Sequence, residues 1–469
     1  MRAFLLVAAA ALATTPAPAQ NEPLYGLDKY ADTPALGPVT DDDPALLRPP
    51  DSIAGSDVFT VAAAPPRTTL TTLTGLPTLT EETGGLWTSW GEGLLASNGK
   101  LYVGVGDHRG MDGRCYLYEY DPSTHEYRCV LNMVGLIGQE PGDWGHGKLH
   151  GRLDEMPDGW IYFATYWGGH PDHVKPEELV KIGGRLVRYN VRTGAAEDLG
   201  MPKPGDSFPM HATDVRRGVF HAIGLYGGYL AWDIEKRRPI FCGPFPEGYS
   251  WDIRVTLIDP VTGFCYGSEN PPEAAAHGGC APGAYRIFGY DPADNRFFTT
   301  KASVPPHPQI ELEQKPDIRC YTRGRLPDGS FICQTHEGVM FKFFPDAQRC
   351  DLIGLNWVEG LYSTAIATSP KGRYIYYAVG AHGKTWQYGG PIIQMDTRTY
   401  QKKVIAFLHP FFLEKYGYTF GGSYTMGITP DGSRLVSFWN GRFREKQEGD
   451  SFGHLAFLCI DIPESERRE

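Results

Sequence analysis

One local pattern recurs along this chain from about residue 90 onward, and it limits the possible folds more than any other feature. It is a polar turn that contains glycine, followed by a short strand of apolar and aromatic residues. Asn-Gly and Asp-Gly turns between apolar segments are hairpin signals, because these residues tolerate the positive φ of tight turns. Five clear copies lie at 97–103, 157–163, 327–332, 370–376 and 430–436, and two weaker ones at 216–220 and 260–265.

Each copy is followed by a second apolar strand, so the chain divides into seven units. A period of roughly 40 to 60 residues is typical of β-propeller blades. The sequence therefore predicts an all-β fold, a single seven-bladed β-propeller over residues 86–465. Two domains are the alternative that a length of 469 residues allows, but the repeat continues without a linker.

The composition supports this fold class. The chain contains 57 Gly and 38 Pro, 13% of it is aromatic and only 21% is charged. Turn formers and β-favouring rings are abundant, which excludes a coiled coil, a helical bundle and a disordered scaffold. The net charge is 44 − 55 = −11, which argues against a nucleic-acid binder. An anionic ligand would need a local basic site.

The first segment has the features of a signal peptide over residues 1–19: Met1-Arg2, an apolar run and Ala17-Pro18-Ala19. We therefore expect a secreted or periplasmic protein. No later apolar stretch reaches the roughly 18 residues of a membrane span, so no membrane partner is expected. We also expect a monomer without an organic cofactor.

Residues 20–85 are rich in Pro and Thr, show little periodicity and are predicted to form an extended N-terminal arm. The last repeat unit ends near Pro463 without an evident fourth strand. The Thr-rich segment near 68–80 is the candidate to supply that strand and close the ring.

The repeat also predicts a ligand site, because the heads of the inner strands meet around the central channel of a propeller. Counting back from each turn glycine places these residues there: Trp90, His150, Pro209 with His211 nearby, Arg254, Cys320, Ser363 and Ser423. The loops between second and third strands add His170, Tyr226, His108, His336 and His382. The alternative is structural: the histidines would bond neighbouring blades, Arg254 would pair with Asp252, and Tyr226 would be an ordinary strand residue.

A His, a Tyr and an Arg around one pocket favour β-elimination on a uronate-containing polysaccharide. Arg neutralises the uronate carboxylate through charge-assisted bonds, so that the C5 proton becomes acidic. His and Tyr can act as the base and the acid. The paired carboxylates of a glycoside hydrolase are not evident, since Asp158 and Asp328 lie in turns on the opposite face.

The stretch 144–152 (WGHGKLHGR), together with 158–162, 165–167 and His170, resembles the catalytic blade of the seven-bladed propeller ulvan lyases. These are secreted lyases of a sulfated polymer of rhamnose and uronate. The resemblance implies that Arg254 neutralises the carboxylate, that His150 and Tyr226 share the acid and base roles, and that His170 assists. We expect the residues His146, Lys148, Arg152 and His211 to contact the anionic polysaccharide.

The nine cysteines allow two interpretations. Cys115 with Cys129, and Cys320 with Cys333, flank turns at spacings that suit disulfides. Alternatively, the spacings H-x2-C and C-x2-H fit a structural zinc site that joins two blades, with the ligands His277, Cys280, Cys333 and His336. The resemblance adds to the zinc interpretation, because propeller ulvan lyases carry a structural metal.

Two other functions remain open from the sequence. One is a propeller lyase of the oligogalacturonate type, which relies on a metal at the acidic sugar. The other is a binding propeller whose aromatic and basic rim holds a glycan or protein without catalysis.

Overall fold

The computed structural model describes residues 33–77, 87–168, 181–252, 254–269, 285–310, 317–444, 446 and 449–469. Seven sheets of four or five strands form a ring, so the prediction of a seven-bladed β-propeller is confirmed. The signal peptide predicted for residues 1–19 lies outside the described residues.

Three strands belong to the N-terminal segment: β1 (Val39–Asp41), β2 (Phe59–Val61) and β3 (Arg67–Thr72). The first three blades comprise β4 (Leu94–Leu95), β5 (Leu101–Gly106), β6 (Cys115–Asp121) and β7 (Glu126–Asn132); β8 (Lys148–Leu149), β9 (Asp154–Glu155), β10 (Trp160–Tyr166), β11 (Leu186–Asn190) and β12 (Ala196–Asp198); and β13 (Met210–Asp214), β14 (Val219–Ile223), β15 (Gly228–Asp233) and β16 (Arg238–Pro244).

Blades four and five comprise β17 (Leu257–Ile258), β18 (Cys265–Ser268), β19 (Arg286–Asp291) and β20 (Arg296–Ser303); and β21 (Ile318–Tyr321), β22 (Phe331–Thr335), β23 (Val339–Phe344) and β24 (Arg349–Leu355). The last two comprise β25 (Ile366–Thr368), β26 (Tyr374–Ala378), β27 (Pro391–Asp396) and β28 (Lys402–Phe407); and β29 (Tyr418–Ile428), β30 (Arg434–Phe443) and β31 (Ala456–Asp461).

The described helices are short: α1 (Met133–Ile137), α2 (Phe411–Tyr416) and 3₁₀ turns at Pro44–Leu47, Gln387–Gly389 and Glu464–Glu466. Within the described ranges, no helix has the length and apolar character needed to cross a bilayer.

The hairpin turns are formed as the sequence predicts. The glycine of each of the seven turns adopts a positive φ, at Gly99, Gly159, Gly218, Gly263, Gly329, Gly372 and Gly432. An L-residue with a Cβ is strained in this conformation, which explains why glycine recurs at this place in every blade.

The N-terminal segment completes the last two blades. β3 pairs antiparallel with β31, from Arg67 opposite Asp461 to Thr72 opposite Ala456, and is the fourth strand of blade seven. β1 adds a fifth strand outside it, and β2 pairs parallel with β28 of blade six. Blade seven is therefore built from both ends of the described chain, and this arrangement closes the ring.

The core lies between neighbouring blades and is largely aromatic. Tyr120 of blade one stacks on Phe457 of blade seven with ring centres 4.2 Å apart. Between blades three and four, Tyr229 packs edge-on against Trp251 and Tyr290, at 5.2 and 4.9 Å. Such offset and edge-to-face pairs are the arrangements that aromatic rings favour.

A buried polar network crosses the central channel. Arg152 of blade two pairs with Asp154 at 3.0 Å and donates to the Tyr321 hydroxyl of blade five at 3.3 Å. Arg323, also of blade five, pairs with Glu92 before blade one at 2.7 Å. Blades two and five are not neighbours in the ring, so these contacts span the channel and fill it behind the heads of the inner strands.

The eight described cysteines are all free, so the disulfide interpretation is wrong for both pairs. Cys115 belongs to the apolar cluster between blades one and two, whereas Cys129 packs against the cluster between blades one and seven. Cys320 and Cys333 likewise lie in separate clusters, on either side of blade five. Each pair thus points to opposite faces of its sheet, which the turn spacing alone does not reveal.

Candidate active site at the channel mouth

The heads of the inner strands converge at one end of the channel, and the structure brings His150 and Arg254 together there. The Arg254 Nη1 atom donates toward His150 Nε2 at 3.4 Å. The lone pair of the imidazole therefore lies at Nε2, beside a guanidinium group. Arg254 is held in turn by its own backbone, whose N–H donates to the Asp252 carboxylate at 2.8 Å.

His150 is almost fully buried, and its Nδ1 atom has no hydrogen-bond partner among the described residues. Burial lowers the pKa of its imidazole well below the usual value, and the positive charges of Arg254 and Lys148 lower it further. The ring is consequently neutral at neutral pH, which is the form that can accept a proton.

Lys148 lies two residues earlier, in strand β8, and is 9% exposed. Its ammonium nitrogen is 5.3 Å from the ring centres of both Trp90 and Tyr166. It has no ion-pair partner among the described residues. Burial lowers the pKa of Lys148 to about 7, and the charge of Arg254 acts in the same direction.

Arg319, Tyr362 and Tyr424 also line this site, and sequence reasoning missed all three. The Arg319 guanidinium lies over the Tyr362 ring at 4.9 Å, and its Nε atom is buried without a hydrogen-bond partner among the described residues. The Tyr424 hydroxyl is buried and unpartnered in the described structure. Orphaned donors of this kind need a ligand or water, because an unsatisfied buried polar group is costly.

Counting from the turn glycines instead gave Cys320, Ser363 and Ser423, each one residue away from these three. The Ser363 and Ser423 hydroxyls donate to backbone carbonyl groups, and Cys320 packs in the apolar core. The register of β21 shifts between Ile318 and Cys320, and that of β29 between Ser423 and Thr425. A shift of one residue exchanges the two faces of a strand, and bulges cause such shifts.

Two carboxylates accompany the cations. Asp317 lies 3.9 Å from Arg319 and is buried. Burial raises the pKa of Asp317 to about 7, and the charge of Asp252 adds to this effect. A carboxyl that is part protonated at neutral pH offsets little of the positive charge of Arg254, Arg319 and Lys148.

Trp90 lies at the centre of a group of aromatic rings at the channel mouth. The rings of His108, His382 and Tyr424 surround it at 5.0, 4.9 and 4.9 Å. Burial lowers the pKa of His108 to about 2, and the charge of Lys148 contributes. Burial also lowers the pKa of His382, so His108 and His382 form a neutral wall beside Lys148.

The other predicted contact residues occupy different surroundings. His146 bonds through Nδ1 to the Thr165 hydroxyl at 2.7 Å and lines a separate cavity of about 290 Å³ with Trp144 and Arg185. Arg152 belongs to the channel network. His211 is fully buried, and its backbone carbonyl accepts from the Arg152 N–H.

Of the remaining predicted catalytic residues, Tyr226 is half exposed, with its ring 6.3 Å from that of Trp167. His170 lies outside the described residues. Tyr166, which the sequence analysis did not single out as a site residue, contacts His150 edge-on with ring centres 5.8 Å apart.

The zinc prediction stays a prediction, because His277 and Cys280 lie outside the described residues. Cys333 lies in an apolar cluster, where burial raises the pKa of its thiol well above the usual value. His336 packs on Tyr362 at 4.6 Å and bonds through Nδ1 to Glu337. No group of three or more metal-binding side chains is present in the described part of the chain.

Neither a protein-family model nor a curated protein sequence matches this chain. The site combines a neutral imidazole beside a guanidinium with a desolvated amine, a second guanidinium and aromatic walls.

Proposed function

We propose that this protein is a secreted polysaccharide lyase that cleaves a uronate-containing, sulfated, ulvan-like polymer by β-elimination. The observation that carries the proposal is the contact between Arg254 and the neutral imidazole of His150 in a buried cluster of cationic side chains. This pair provides the two things that the first half of the reaction needs, a carboxylate partner and a base.

In this proposal the uronate carboxylate binds the Arg254 guanidinium through charge-assisted hydrogen bonds. Neutralising that carboxylate makes the C5 proton acidic. As the guanidinium turns to the carboxylate, the lone pair on His150 Nε2 becomes free to accept the proton. A second group must protonate the departing glycosidic oxygen, and the family resemblance points to Tyr226.

The class of substrate follows from the charges. Lys148, Arg254 and Arg319 surround the site, while the chain as a whole carries a net charge of −11. A local positive pocket on an acidic protein selects for anionic ligands at short range, so binding should weaken as salt rises.

The test is to incubate the protein with ulvan, alginate, pectin and glycosaminoglycans and to follow the ultraviolet absorbance of the unsaturated uronate product. A rise with one of these polymers is expected. The absence of a rise with every uronate polymer, although the protein binds one of them, would favour the glycan-binding propeller. Activity that a chelator abolishes would favour the metal-dependent oligogalacturonate type.

The two central residues are tested by Arg254→Ala and His150→Ala. Each should lower kcat/KM by at least about 100-fold, the loss typical for an electrostatic or acid–base group. Arg398→Ala is the matched control, because Arg398 is exposed in a turn of blade six. Circular dichroism should show an unchanged fold. Near-normal turnover by either site variant would reject the role given to that residue.

A further inference from the structure

Lys148 and His150 lie beside the same aromatic side chain. Lys148 begins strand β8 (Lys148–Leu149), and His150 follows that strand directly. Both are beside Tyr166, with the Lys148 nitrogen 5.3 Å and the His150 ring 5.8 Å from its ring centre.

We propose that the Lys148 ammonium protonates the glycosidic oxygen that leaves from C4 while His150 removes the proton from C5. This inference rests on the proposed function and reassigns the acid, which the resemblance gave to Tyr226.

The surroundings of Lys148 make its ammonium acidic. Trp90 and Tyr166 cover it on two sides, and the charged and titratable groups that act on it or respond to it are Arg254, His108, His150 and His382. None of these is a carboxylate. A desolvated lysine beside another cation loses its proton near neutral pH, as the lowered pKa of about 7 indicates. An acid with a pKa near the working pH is the most effective donor.

The step balances without any further reactant. The C5–H bond breaks and its proton passes to His150 Nε2, while the bonding electrons form the C4–C5 double bond. The C4–O bond breaks, and its oxygen takes a proton from Lys148 Nζ. Water then takes the proton from His150 and returns one to Lys148.

The experiment compares two substrates that differ only in how much the leaving group needs a proton. One is the natural polysaccharide or an oligosaccharide from it. The other is a synthetic uronoside with 4-nitrophenoxide at C4, which leaves as a stable anion. Lys148→Met should lower kcat on the first at least about 100-fold, whereas turnover of the second stays close to wild type.

His150→Ala, which removes the base, should fail on both substrates. Lys148→Arg keeps the positive charge but holds its proton, so it should preserve KM for the polysaccharide and lose kcat. Wild-type kcat on the polysaccharide should fall as the pH rises above about 7, because the donor loses its proton. The nitrophenoxy substrate should show no such fall.

Equal losses on both substrates for Lys148→Met would reduce Lys148 to a binding residue and overturn the inference. The inference would also be overturned if Tyr226→Phe, and not Lys148→Met, lost kcat on the polysaccharide but kept it on the 4-nitrophenoxide substrate. Wild-type protein that eliminates from neither substrate would instead overturn the proposed function itself.

Discussion

The pKa values of the site residues depend on how few negative charges lie close to its cations. The positive charges of Arg254, Lys148 and Arg319 lower the pKa of His150, in that order of effect. Arg319 is itself so desolvated that the pKa of its guanidinium is lowered, and the charge of Arg254 adds to this shift. The cations thus hold the imidazole neutral and ready to accept a proton, at the cost of their mutual repulsion.

This ordering predicts how His150 responds to removal of single charges. Arg254→Met should raise the pKa of His150 toward its usual value, and Arg319→Met should raise it by less. The readout is an NMR titration of the imidazole in protein labelled at histidine nitrogen, which needs no activity. Arg398→Met is the control and should leave the His150 titration unchanged. A larger shift in Arg319→Met than in Arg254→Met would contradict the geometry.

The sequence predicted only part of this site, for reasons that individual residues make plain. His150, Arg254 and Trp90 were found because they occupy equivalent places in regular repeats. Arg319 and Tyr424 were missed because irregular registers in β21 and β29 shift the inner strands by one residue. Tyr166 lies within the segment 165–167 that resembles the lyase blade, but it was assigned no role of its own, because a tyrosine at the end of a second strand is also typical of a core.

Among the elements, β3 has the clearest role, because it joins the beginning of the fold to its end. Its backbone pairs with β31 along the whole strand. Leu70 is fully buried in the cluster between blades six and seven, opposite Leu458. The sequence located this strand only by elimination, from a last repeat that lacked its fourth strand. The other two strands of the N-terminal segment, β1 and β2, have no periodicity of their own and were not predicted.

Leu70→Ala should lower the free energy of unfolding by about 2–5 kcal/mol, since the change leaves a cavity in a packed core. Urea denaturation measures the effect. Arg67→Ala is the control on the same strand: Arg67 is exposed, and its removal should change stability by less than about 0.5 kcal/mol.

Deletion of residues 60–85 should lower the melting temperature strongly. An unchanged melting temperature would refute closure of the ring by this segment.

In the molecule as a whole, the charged groups of the candidate site and those of the channel network form two separate sets. The network of Arg152, Asp154, Arg323 and Glu92 joins non-neighbouring blades behind the mouth and has its charges paired. The cations at the mouth remain poorly paired. Because the charges of the network are paired with one another, they join the blades across the channel, and the cations at the mouth are the ones that could bind an anion.

Buried neutral histidines should make the stability of this scaffold depend on pH. Burial lowers the pKa of His211 and of His221 to about 3, against 6.5 for a free imidazole. Below pH 6.5 the unfolded chain binds protons that the folded chain cannot, so stability falls as the pH drops from 6.5 toward 3. Each of these histidines should cost about 2 kcal/mol between pH 7 and pH 5, at 1.36 kcal/mol per pKa unit.

The test is urea denaturation at pH 7 and pH 5 in wild type and in His221→Asn, which cannot titrate. The difference in unfolding free energy between the two pH values should shrink by about 2 kcal/mol in this variant. Tyr229→Phe is the matched control, because it removes the hydroxyl that bonds His221 Nδ1 at 2.8 Å but leaves the imidazole in place. It should lower stability at both pH values and keep most of the difference. A difference that His221→Asn leaves intact would mean that His221 does not stay neutral in the folded protein.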